Sequence, residues 1–382
     1  MKGDSVCAKV ISFRMQEMVI AGKGFFLCLL WLAATVFSAA ANAEFQRTYQ
    51  MGFTPWLYDY NAEAIDSTYD FINGHSEIIA HHLEEGVPWT EALAGKEYHP
   101  NMMWQWDLRR DKSAEDLKVF LSISPINQSR NGLADYRGKG THMALPTGFA
   151  GKRFNDPDVK KAYLAYAEDA IRFFQPDYLA IAIEANELYF NNRPAWSDFV
   201  ELYIETYTTL KLRHPELPIF FTTALHVMNQ MRGDTDDAWS ELSVLWDYSD
   251  IAALSFYPYM QYPLDLGNPV AMLDEVGKHT DKPLAISESG YPAQTIDFPG
   301  LDHVPANEQL QAEVLFRLLI MASRDAYEFF IVWAHRDFDQ LMITTNMPAY
   351  GALWRDTGLI SETGRERVSA YVWNAFNSLP MK

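Results

Sequence analysis

Two glutamates stand at the ends of apolar runs. Glu187 closes YLAIAIEANE, residues 178–187, and Glu288 lies near the end of PLAISESGY, residues 283–291. Neither terminates a helix-like segment, so helix capping does not account for them. A pair of carboxylates facing one cleft is what cleavage of a glycosidic bond needs. One is protonated for the leaving oxygen, and its ionised partner faces the anomeric carbon. Carboxyl separations of about 5–5.5 Å go with retention and about 6.5–9.5 Å with inversion. The two must not share one pKa: a neighbouring charge and burial raise the acid, while hydrogen bonds keep its partner ionised. Ser287, Ser289 and Tyr257 are candidate donors near Glu288. Glu184 has the strand parity of Asn186, so it either reaches the same layer or pairs with a helix outside.

Other polar and aromatic residues cluster at the same run ends. His81 and His82 are adjacent strand residues and point to opposite faces, so at most one faces the cleft, where it would bond sugar hydroxyls. A zinc site would need a third ligand with recognisable spacing, and HExxH is absent, so no metal is expected. Trp56, Trp89, Trp104 and Trp106 lie on or beyond the first two runs, and one or two of them are expected to stack on a pyranose ring. Tyr259 and Trp333 are further platforms, with His226 and His335 as sugar contacts. Arg109, Arg110 and Arg130 either hold the carboxylates or face solvent. No cofactor is expected: MGFTPW is not GxGxxG, and GxxxxGK[ST] does not occur.

Eight apolar runs must position these residues: 50–56, 76–83, 118–125, 178–187, 218–225, 250–259, 283–291 and 329–335. Amphipathic segments alternate with them, including 156–174, 196–214 and 307–325. Strands apolar on both faces, alternating with long helices, predict a parallel sheet covered by helices. Eight of them predict an α/β fold, a single-domain (β/α)8 TIM barrel, rather than a doubly wound open sheet. In a barrel the site lies where strands release their C-terminal ends, and strands four and seven face each other across the mouth. The long connection 127–155 is expected to build part of the rim.

Residues 1–43 read as a secretory signal peptide: Lys2, Lys9, Arg14 and Lys23 precede an apolar stretch that ends in Ala41-Asn42-Ala43. Cleavage before Glu44 leaves a catalytic domain of residues 44–382 without either cysteine, Cys7 or Cys28. Such a protein is exported, periplasmic or secreted, has no membrane anchor after cleavage, and is expected to be a monomer. The formal charge of -19 repels phosphate backbones, which argues against nucleic acid as a partner.

The series IAIEANEL, DIAALSFYPY, LAISESGYP and IVWAHRD resembles the retaining glycoside hydrolases of the (β/α)8-barrel superfamily. Within it the nearest likeness is to the arabinogalactan endo-β-1,4-galactanases. The chain departs from their pattern at Ala185, where glycine is usual, at the extra Glu184, and at His335-Arg336-Asp337. The resemblance implies Glu187 as acid/base, Glu288 as nucleophile and Asn186 as donor to the sugar 2-hydroxyl. It places Tyr257 beside the nucleophile and Trp333 on the floor of the -1 subsite. The implied activity is hydrolysis of a poly- or oligosaccharide, β-1,4-galactan being one substrate. A non-catalytic, exported glycan-binding barrel is the alternative. It would keep its ligand affinity without either glutamate's charge.

Overall fold

The computed structural model describes residues 46–228, 235–261, 264–265, 267–298 and 303–382; the leader segment lies outside them. Thr48–Ser378 form one compact unit that holds the whole sheet. Arg47 belongs with Leu379–Lys382 and bridges Met381 in parallel.

All eight expected runs contain strand, in nine segments because the fifth run holds two. They are β1 (Gln50–Phe53), β2 (Ile78–Leu83), β3 (Lys118–Ile123), β4 (Tyr178–Ala180), β5 (Ile219–Phe220), β6 (Thr222–Ala224), β7 (Ala252–Phe256), β8 (Leu284–Ser289) and β9 (Phe329–Val332). The fifth run is divided at Phe221. Its first part pairs with β4 and its second with β7. Every pairing is parallel, and the order β5-β4-β3-β2-β1-β9-β8-β7-β6 puts the two halves of that run at its ends. The sheet therefore comes round on itself as a nearly closed (β/α)8 barrel. A doubly wound sheet would have two distant edges.

The helical segments follow the periodicity closely. Helices α1 (Ala62–His75), α2 (Trp89–Ala94) and α3 (Pro100–Lys112) precede β3, and α4 (Pro157–Phe174) precedes β4. Then come α5 (Asn186–Asn191), α6 (Arg193–Arg213), α7 (Thr235–Trp246), α8 (Ala271–Val276), α9 (Glu308–Arg324), α10 (Asp339–Thr344) and α11 (Val368–Asn377). Their starts are written locally. Asn61 and Asn307 accept from the backbone N–H of Ala64 and Leu310 at 2.8 and 2.9 Å, and Pro157 opens α4. Among the described residues no helix is long and apolar enough to cross a membrane.

The barrel interior is an apolar plug that includes Ile78, Ala80, Phe120, Ala180, Phe220, Ala253, Ala285, Phe329 and Ile331. Each fully buried Phe or Ile stabilises by about 1.5–3 kcal/mol relative to exposure. Gly52 of β1 permits the close approach of β2: a Cβ there would lie 1.8 Å from the Ile78 carbonyl oxygen. The plug also sets the parity of every strand above it, and that parity positions the site.

Candidate active site

Counting outward in twos from the plug reaches the mouth. On β2, Ile78 and Ala80 lead to His82 and Glu84; on β7, Ala253 leads to Ser255 and Tyr257; on β9, Ile331 leads to Trp333. On the fourth run the count ends with β4 at Ala180, and Glu184 follows in left-handed backbone beyond any strand parity. Glu288 breaks the rule, because strict alternation from Ala285 sends it to the helix side. Register shifts on both flanks of β8, between Leu254 and Ser255 and between Ile286 and Ser289, place an irregularity at Ser287–Glu288. A bulge re-aims a side chain, and this one brings Glu288 to the mouth.

There the Tyr257 hydroxyl donates to Glu288 Oε2 at 3.0 Å, and His82 Nδ1 lies 3.7 Å from Oε1. Ser287 and Ser289 are turned elsewhere, to Ser255 and to the Phe256 carbonyl. Burial, then the charges of Glu184 and Glu84, push the Glu288 carboxyl well above the usual range. Burial pulls His82 down to about 4, so its ring is neutral near pH 7 and does not ion-pair with Glu288.

The strand-four side is built around Arg130. Its guanidinium lies 2.5 Å from Glu84 Oε1 and 2.9 Å from Glu184 Oε2, and the charge of Glu187 acts on it too. Burial pushes the Glu184 carboxyl upward, but Arg130, with His226 and His82, outweighs it and holds Glu184 below the usual range. Glu184 and Arg130 both have left-handed backbone, at φ 48° and 51°. Such conformations cost about 1–3 kcal/mol each in a non-glycine residue and persist where surroundings over-determine them. Two strained residues bonded to each other in a buried mouth mark this as the functional end of the barrel.

The mouth also holds polar atoms that the protein leaves unused. Both His82 ring nitrogens and the indole N–H groups of Trp56 and Trp333 are buried without a hydrogen-bond partner. They form one cluster: the Trp56 and Trp333 rings are 4.8 Å apart, and those of His82 and Trp333 6.0 Å. Leaving a buried donor unpaired costs about 1–3 kcal/mol. A cluster of such atoms, reaching Glu288 through His82, suits a ligand dense in hydroxyls.

Several expected contacts belong to the scaffold instead. Asn186 is 1 % exposed; its amide donates to the Ala224 carbonyl at 2.8 Å and accepts from the Ala224 N–H at 2.8 Å. Those bonds pin α5 to the end of β6 and use one of the two amide N–H donors of Asn186. The expected fourth strand stops at Ala180, because Asn186 starts a helix and Glu184 reverses the backbone first. Glu187 consequently lies in the first turn of α5, its Oε1 3.8 Å from His226 Nε2. Trp89 is fully buried beneath the rim, stacked on Phe149 and donating to the Ala134 carbonyl. Tyr259 is buried and donates to the Leu353 carbonyl, and His335 packs against Phe71 of α1. Trp106 fills the helix layer between Tyr98 and Phe174, and Trp104 is exposed on α3. His81 faces outward beside Phe174. Periodicity did not reveal Trp354, which meets Tyr257 edge-on at 6.0 Å from the irregular segment after β9.

Asp337, Asp339 and Asp356 bring three carboxylate oxygens within 4.8 Å of one another. Arg367 and Arg355 already neutralise Asp337 and Asp356, so the cluster is an ion-pair network beneath the rim.

No family model matches the chain, and no curated protein does. Solved structures do. The GH53 catalytic domain of Ignisphaera aggregans superposes with a TM-score of 0.54 at 18 % identity, over 87 % of this chain and 96 % of that one. Xylanase 10B of Thermotoga maritima gives a TM-score of 0.59 at 11 % identity, over 86 % and 95 %. A fungal β-1,4-galactanase gives 0.55 at 14 %, over 81 % and 90 %. At these identities the likeness is one of fold, and this chain is a (β/α)8 barrel with the architecture of those glycoside hydrolases.

Proposed function

We propose that this protein hydrolyses O-glycosidic bonds of a neutral poly- or oligosaccharide with retention of configuration, Glu288 attacking and Glu184 serving as acid/base. The observation that carries the reading is the meeting of a buried carboxylate held by a phenol and a half-buried one held by a guanidinium, the charge of the second acting on the first. Glu184 is proposed because Arg130 holds it and its charge acts directly on Glu288; Glu187, in the first turn of α5 beside His226, is the other candidate. Export through the leader segment belongs to the same proposal, and N-terminal sequencing of the mature protein checks it. β-1,4-Galactan is the first substrate to try, given the resemblance of the strand-end motifs.

In the first step Glu184 protonates the leaving oxygen while Glu288 attacks the anomeric carbon, forming a glycosyl-enzyme. Glu184 then takes a proton from water, and that water releases the sugar from Glu288. The pair holds one proton between its two members. In the free mouth Arg130 biases that proton toward Glu288, whereas the first step requires it on Glu184. Protonating Glu184 removes its like charge from Glu288, which ionises the nucleophile.

Arg130 therefore sets the alkaline limb of the rate profile. The limb marks loss of the one proton that the pair shares, and the Arg130 charge favours that loss. Arg130→Met will raise that limb by about 1–3 units, since one opposite charge at contact shifts a carboxyl by that much. A limb that stays in place would remove Glu184 from the acid role.

The test is reducing-end release from β-1,4-galactan, arabinogalactan, β-glucans, mannan and xylan. Glu184→Gln is expected to lose about 10²–10⁴ in rate, the usual contribution of a general acid–base. Azide, which needs no base to attack the glycosyl-enzyme, should restore turnover of activated aryl glycosides. If Glu187→Gln shows that loss and rescue instead, the acid/base belongs to α5. Binding without product from any polymer, unchanged in both variants, would favour the glycan-binding alternative.

A further inference from the structure

The connections after β1 and β9 form one structure. The Tyr58 carbonyl accepts from Leu341 N–H at 3.0 Å, and Asp59 accepts from the Thr344 hydroxyl at 2.8 Å. The Arg336 guanidinium lies over the Tyr58 ring, 3.8 Å from its centroid. Ala334, Phe338 and Leu341 form its buried floor, on which Trp56, Trp333, Met342, Met347 and Trp354 pack half-buried. Outward from that floor, among exposed polar residues such as Thr344 and Asn346, three large apolar side chains stand out: Tyr60 is 72 %, Ile343 74 % and Tyr350 50 % exposed. Short helices α10 and 349–353 carry two of them, so they stand on ordered backbone rather than on a loose tip.

This ledge is continuous with the mouth. Trp333 meets His82, which lies beside Glu288, and Trp354 meets Tyr257, which donates to Glu288. An apolar, aromatic strip that begins at a candidate cleavage point and runs to the surface matches the flat faces of successive sugar rings. Charge narrows the ligand further. Glu84, Glu184, Glu187 and Glu288 surround Arg130 at the mouth, and the chain carries a formal charge of -19. Such a field repels uronic-acid polymers.

We infer that the β1–β9 ledge holds the distal units of a neutral polysaccharide, with Tyr60 and Tyr350 as its outer stacking platforms. The inference rests on the glycosidase reading for the position of the cleaved bond. It makes the protein selective for chains over short glycosides, with the extra units lying on the β1–β9 side.

The experiment compares wild type with Tyr60→Ala/Tyr350→Ala on the polymer that wild type cleaves and on an aryl monoglycoside of the same sugar. Loss of two aromatic contacts is expected to raise KM for the polymer about five- to tenfold. The aryl glycoside should be turned over within twofold of wild type. Equal KM values on the polymer would overturn the ledge while leaving the glycosidase reading intact. Should wild type cleave nothing, that reading fails separately, and retardation in polysaccharide-containing native gels decides the ledge. Retardation by a neutral polymer that the double variant loses supports it. No retardation, or retardation that both proteins share, overturns it.

Discussion

Glu288→Gln will abolish turnover of the cleaved glycan, lowering kcat on the order of 10⁴–10⁶-fold, the scale on which loss of an attacking group is felt. The amide keeps the shape of the carboxylate and still accepts from Tyr257, so the barrel should be undisturbed. The same change removes a buried carboxyl whose charged form is opposed by burial and by Glu184. The melting temperature should therefore hold or rise while activity disappears, the compromise expected where a site stores unfavourable charge. Rate and thermal unfolding measured on one preparation check both halves. A variant within tenfold of wild-type kcat would end the case for Glu288 as nucleophile.

Asp337→Ala will destabilise the fold by about 3–5 kcal/mol, the cost of leaving the partner of a buried ion pair uncompensated. Asp337 and Arg367 are both almost wholly buried. The guanidinium donates through Nη1 and Nη2 to the two carboxylate oxygens at 2.7 and 2.5 Å, and Gly358 N–H adds a third bond at 3.0 Å. Arg367 immediately precedes α11, the last helix, so this pair ties the segment after β9 to the helix layer. The destabilisation should appear as a lower denaturation midpoint in urea. Adding Arg367→Met should recover much of it by removing the orphaned charge. A loss below 1 kcal/mol in the single variant would show that water reaches Arg367 and that the pair is not sealed.

Both residues were visible in the sequence, but for different reasons. Glu288 stands out because a carboxylate at the end of an apolar strand has no local explanation. Asp337 was noticed only as a departure from a family pattern. Its partner is 30 residues away, and no local period links them. The same contrast holds at the fourth strand. The motif drew attention to Asn186 and Glu187, and strand parity left Glu184 open between their layer and a helix outside. The decisive event there is backbone reversal at Glu184, and neighbours from other strands impose it. Ala224 captures the Asn186 amide, and the Thr222 hydroxyl accepts from Glu184 N–H at 2.8 Å.

By itself the sequence determined the alternation of eight strands with helices, hence the barrel and which end is the mouth. Burial patterns and helix starts are local properties, written in periods of two and 3.6 and in capping residues. Tertiary structure alone decided which carboxylates meet, which aromatics line the rim, and which merely fill the layers. Trp89, Tyr259 and His335 have the right residue types at strand ends but lie beneath the surface. Arg130 arrives from a long loop that no period constrains. A bulge in β8 and a positive φ in the fourth run each re-aim one glutamate. Those events depend on register between strands distant in sequence, a quantity that no short window of residues contains.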